Sequence, residues 1–180
     1  MKKLMLTAMV ALFAVAANAQ DLFLGGTVNF WDNSDAKHTS FGITPEIGYN
    51  LSDAWALGMQ VGYSYEKVEE IKINSIGVAP YARYSYLIAG PVKLFLDGGF
   101  NFETAKLKGG DSYNAWNIGI HPGISIALNN RFSLVAHIGF LGYQDVDDEI
   151  APIYAIFGKE RGWGLKMSGY NLNFGFYYNF

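Results

Sequence analysis

The sequence contains no cysteine, which excludes a disulfide scaffold and a thiolate zinc site. Charge is also scarce: Asp, Glu, Lys and Arg make up 16% of the 180 residues, against about 25% in an average soluble domain. A net charge of −3 with scattered basic residues excludes the basic footprint of a nucleic-acid-binding protein. After Ala17 no apolar run is long enough for a membrane helix, which needs about 20 residues. The three histidines have no metal-ligand spacing. The paired glycines lack the following helix and Lys-Ser/Thr of a phosphate loop, so no cofactor is expected. What is plentiful is aromatic side chain, at 16%, and glycine, at 21 residues. An apolar share of 51% excludes intrinsic disorder, and the length predicts one domain.

The N-terminus reads as an address. Met1-Lys2-Lys3 is a basic head, Leu4 to Ala17 is an apolar run, and Ala17-Asn18-Ala19 is an A-x-A cleavage site. That order is a secretory signal peptide. Residues 1–19 are expected to be removed, leaving 20–180 as a single domain outside the cytoplasm. No cysteine follows the cleavage site, so no lipoprotein anchor is expected.

The rest of the chain alternates. Trp55, Leu57, Met59, Val61, Tyr63 and Tyr65 form one face of a segment whose other face is Ala56, Gly58, Gln60, Gly62, Ser64 and Glu66. Period two is strand periodicity. Eight such segments are predicted, over 22–31, 40–51, 55–66, 75–87, 92–104, 113–128, 131–144 and 167–180. Each is near the ten residues that a tilted membrane strand needs. The connectors alternate: Asn50–Ala54, Ile88–Pro91 and Asn129-Asn130 are short, while Asp32–Thr39, Lys67–Asn74, Ala105–Ser112 and Asp145–Lys166 are longer and more polar. This pattern predicts an all-β fold, an eight-stranded antiparallel transmembrane β-barrel of up-and-down meander type, with both termini on the short-turn, periplasmic side.

Alternation alone does not say which face points out. The apolar face carries no formal charge within the strand cores. The other face, small or polar and rich in glycine, has too little bulk for a dry core. Aromatics gather at strand ends: Phe30, Trp31, Phe41, Trp55, Tyr63, Tyr65, Tyr84, Tyr86, Phe102, Phe140, Tyr170, Tyr178 and Phe180. That predicts two girdles at two membrane interfaces. The chain also ends on its strand, with Leu172, Phe174, Phe176, Tyr178 and Phe180 alternating to a terminal aromatic. This ending resembles the C-terminal signature of small Gram-negative outer-membrane barrels, the group of OmpX-like proteins, the OmpA transmembrane domain and porin-family barrels. The resemblance implies residence in the outer membrane, contact with its lipid, and reading of Phe176, Tyr178 and Phe180 by the barrel-insertion machinery.

Eight strands leave a lumen that side chains fill. A turn centred on Gly90 places Arg83 opposite Asp97, one centred on Asp53 places Glu46 opposite Gln60, and one near Asn129 places His121 opposite or diagonal to His137. A buried carboxylate needs a partner, and the fork of an arginine can serve two. The expected plug is therefore a polar network of Glu46, Gln60, Arg83, Asp97, His121 and His137, with a structural or gating role. No acid–His–Ser arrangement is evident around Ser125 or Ser133, so no catalysis is expected. In the last loop an apolar stretch makes Ile153, Tyr154, Phe157 and Trp163 candidates for a surface contact, the partner unspecified. The function expected is a non-catalytic structural or surface-interaction role through the outer loops. A narrow porin-like channel is the alternative, and a lipid A-modifying enzyme comes last.

Overall fold

The computed structural model describes residues 21–33, 37–148, 161–167 and 172–180, with Trp31 and Leu172 as backbone only. The signal peptide, Tyr170 and the loop candidates Ile153, Tyr154 and Phe157 lie outside the described residues. The strands are β1 (Leu22–Asn33), β2 (His38–Asn50), β3 (Trp55–Val68), β4 (Ile71–Ala89), β5 (Val92–Leu107), β6 (Ser112–Ala127), β7 (Phe132–Ile138), β8 (Phe140–Val146), β9 (Gly162–Lys166) and β10 (Leu172–Asn179).

Neighbours pair antiparallel, and the sheet closes through β1 on β10 and β5 on β6. β7 and β8 form one stave, since both pair with β6. At the break, Gly123 faces His137 but Gly119 faces Gly142, so one extra residue is inserted. Gly139, with φ of 79°, supplies the left-handed backbone that such a bulge uses. β9 pairs with β8 and β10 with β7, the two halves of the last stave. The result is the expected eight-stave meander.

Three expectations are corrected here. Residues 67–74 are not a long loop: β3 and β4 run on to a tight hairpin in which Val68 faces Ile71. Likewise β5 extends to Leu107 and β6 starts at Ser112. The last connector is shorter than 145–166, because Asp145 and Val146 end β8 and Gly162–Lys166 is β9. The reason is an inversion of polarity along the staves. Over most of the barrel the outward positions are apolar, as with exposed Leu57, Met59, Val61 and Ile76. Toward the hairpin tips Ile71, Ile73, Ala105, Leu107, Tyr113, Ala115 and Val146 turn inward and pack together. Lysines then take the outward positions, so the segment looks like a solvated loop although period two never stops.

The outer apolar belt is framed by rings. At the short-turn end Trp55 packs on Tyr84 at 4.8 Å and Tyr178 on Phe180 at 4.8 Å. Farther along, Trp116 lies between Phe100 and Tyr143, at 6.0 and 5.5 Å. Phe140 leaves the expected girdle. The Gly139 bulge reverses the alternation, and the ring lies on the lumen side, 4.9 Å from that of His121.

Candidate functional site

The candidate site is the interior of the barrel at mid-depth. Arg83 on β4 faces Asp97 on β5 in the strand register. Its Nε donates to Asp97 Oδ1 and its Nη2 to Asp97 Oδ2, both at 2.7 Å. This two-pronged geometry is the strongest form of the pair. His137 Nε2 on β7 lies 2.8 Å from Asp97 Oδ2. A carboxylate only accepts, so the imidazole proton sits at Nε2.

The second carboxylate is Glu46 on β2. Gln60, its register partner on β3, donates to Oε2 at 3.0 Å. Oε1 accepts from Tyr177 Oη at 2.6 Å, from Tyr81 Oη, and from Arg83 Nη2 at 3.5 Å. Arg83 Nη2 also donates to Tyr177 Oη at 2.9 Å. The guanidinium therefore reaches Glu46 both directly and through the phenol. Glu46, Arg83, Asp97 and His137 are all buried, so each needs these partners to offset its lost hydration.

Aromatic rings seal this network. Phe23, Ala56, Tyr81, Phe95, Val135 and Tyr177 form one buried cluster, and the Arg83 guanidinium lies 3.9 Å from the Phe95 ring centre, a cation–π contact. The expectation of a lumen face without bulk is therefore wrong, and the reason is local. Each ring faces a glycine across the ladder: Tyr177 opposite Gly25, Phe23 opposite Gly48, Tyr81 opposite Gly58, Phe95 opposite Gly123. The rings reach across those glycines, where a Cβ would collide with Phe23 Cζ at 2.1 Å or Phe95 Cζ at 2.3 Å. Glycine counted as missing bulk is in fact the seat for bulk.

Cavities end on either side of the plug. Toward the short turns a space of about 340 Å³ is lined by Asn50, Ser52, Lys93, Ser125 and Asn129 and bounded by Phe23, Arg83, Phe95 and Tyr177. Toward the loops, a polar space of about 340 Å³ is lined by Asn29, Thr44, Ser64, Asn101, Asn117 and Asn173. A smaller one below it ends on Tyr81, Asp97 and His137.

Of the six predicted network residues, Glu46, Gln60, Arg83, Asp97 and His137 come together. His121 sits beside them, facing Asp97 in the register and diagonal to His137. Its Nδ1 lies 3.2 Å from the Gly139 carbonyl rather than on a carboxylate. Tyr81, whose place in the strand puts it near the six, and Tyr177, whose inward parity is readable, join the network through Glu46 and Arg83. Ser133 Oγ accepts from the side-chain amide of Asn179 at 3.2 Å rather than facing a histidine. Trp163 lies in β9 rather than in a loop, outward and 85% exposed, across from Tyr143. Phe176 also points outward, and Phe180 closes the ladder by donating its amide to Leu22 O at 3.0 Å.

The profile of the outer membrane protein beta-barrel domain matches residues 5–180. Among solved structures, Neisserial surface protein A aligns at 20% identity and a TM-score of 0.49, over 88% of this chain and 96% of that one. OmpT, an outer membrane protein of Vibrio cholerae, aligns at 14% identity and a TM-score of 0.39, over 88% of this chain and 51% of that one. No curated protein matches the chain.

Proposed function

The chain belongs to the outer membrane protein beta-barrel domain family, and from that premise we propose a plugged, non-catalytic barrel that serves as a rigid mount for its outer surface. The observation that carries this reading is the buried Glu46–Arg83–Asp97–His137 network, packed among rings and standing between the cavities that end on it from either side. A polar layer in which every charge has a partner is suited to fixing the staves rather than to passing solute. The apolar belt meets outer-membrane lipid, and Phe176, Tyr178 and Phe180 are the segment that the insertion machinery reads.

The surface role falls to the last loop. Its base is clamped: Arg161 pairs with Asp145 through Nε, with Asp148 at 2.8 Å, and donates to the Val146 carbonyl at 2.9 Å. The loop carries Ile153, Tyr154 and Phe157, and Trp163 stands on the strand that follows. Deleting Ile150–Phe157 leaves that clamp and the plug intact. The expected result is unchanged heat-modifiable migration of the folded barrel, with surface adhesion of expressing cells reduced at least fivefold. Adhesion equal to that of the full chain removes the loop from the proposal.

A further inference from the structure

We propose that Lys67, Lys72, Lys106 and Lys108 form a site for the phosphate groups of outer-leaflet lipid. Lys67 is the register partner of Lys72. The Lys108 amide donates to the Lys72 carbonyl at 2.9 Å, so Lys108 is the next neighbour in the same row. Lys106 faces Asn74, one diagonal step from Lys72. With strands about 4.8 Å apart, the row Lys67–Lys72–Lys108 spans about 10 Å.

Like charges directly opposite each other destabilise a ladder, and none of these four lysines makes an ion pair among the described residues. Glu66 and Glu103 line the lumen cavity. Asp32, two strands from Lys67 in the register, accepts from Thr39 at 2.7 Å. Glu69 and Glu70 form the hairpin tip beyond the row. An outward wall that stacks cations with no ion pair among the described residues is arranged for an external anion.

Height identifies that anion as lipid. The outward apolar run on β3 goes from Trp55 to Tyr65, which at about 3.4 Å per residue and a tilt of about 40° rises about 26 Å. That is the thickness of the lipid-facing band of a membrane barrel. Lys67 is the next outward residue, about 5 Å higher. The polarity inversion described above falls at the same level, with Ile71, Ile73 and Leu107 turned inward behind the lysines. Tyr63 marks the boundary, its hydroxyl donating to Asn74 Oδ1 at 2.9 Å. The lysines therefore stand where the headgroup phosphates of the leaflet lie.

The test is a titration of the refolded barrel in neutral detergent, read by native mass spectrometry. The probes are lipid A, lipid A stripped of its phosphates, and inorganic phosphate. Lipid A is expected to bind at least tenfold more tightly than its phosphate-free form and than inorganic phosphate. A juxtamembrane lysine is worth about fivefold in anionic-lipid affinity, so Lys67→Gln/Lys72→Gln/Lys106→Gln weakens lipid A binding on the order of a hundredfold. In lipid-free detergent the same variant melts no lower than the wild type, because it has lost a like-charge row. Wild-type affinity in the triple variant overturns the proposal. So does equal binding of the phosphate-free lipid, or inorganic phosphate binding as tightly as lipid A.

Discussion

Arg83→Met is expected to destabilise the folded barrel by about 3–5 kcal/mol, the loss seen when one partner of a buried ion pair is removed. Arg83 is 7% exposed, and its removal takes two hydrogen bonds from Asp97, leaving it to His137, and takes the cation from Glu46. Neither carboxylate is well hydrated, with Glu46 2% and Asp97 4% exposed. The loss is a property of the unpaired charges, so neutralising them should restore stability. The triple variant Arg83→Met/Glu46→Gln/Asp97→Asn is expected to recover most of it, because a neutral network of similar shape carries no stranded charge. Urea unfolding of barrels folded into lipid vesicles measures both. A loss below about 1 kcal/mol for Arg83→Met, or a triple variant no better than the single, contradicts the account of the plug.

Gly48→Ala is expected to destabilise by about 1–3 kcal/mol, the range for overpacking a filled interior. The added Cβ would lie 2.1 Å from Phe23 Cζ. That ring cannot swing away, being 2% exposed and packed 5.0 Å from Tyr177, which itself holds Glu46. Shortening the ring should relieve the collision. In a Gly48→Ala/Phe23→Leu double variant, the combined loss should be smaller than the sum of the two single losses by about 1 kcal/mol or more. Additive losses would mean that the glycine serves the strand backbone and not the ring. The same unfolding assay decides it.

These two predictions rest on features that were unequally legible in the sequence. Glu46–Gln60 could be paired on paper because a short hairpin fixes its register: once the turn is placed, each residue has one partner. Centring the turn on Gly90 pairs Arg83 with Asp97, whereas in the fold Ala89 faces Val92 and an irregularity between Ser85 and Leu87 restores that register. Tyr177 could not be placed with Glu46 in that way. Their contact depends on β10 closing on β1 and β1 on β2, a ring closure that no local turn specifies. Phe140 was misplaced by a single extra residue at Gly139, since a one-residue shift turns every later side chain to the other face. The hairpin at Glu69 was hidden by its lysines. Outside the apolar belt the alternation keeps its period and reverses its polarity, so charge marks the end of the membrane rather than the end of the strand.

The seal at Arg83 is the centre of the account, and single-channel recording in a planar bilayer tests it most directly. Refolded protein, shown to be inserted by its heat-modifiable migration, is compared with boiled protein. The account predicts no discrete conductance steps from either sample, because the two lumen cavities end on opposite faces of one charge-paired, ring-covered layer. Reproducible steps from the folded sample alone would mean a water path past Arg83 and Asp97, and would contradict it.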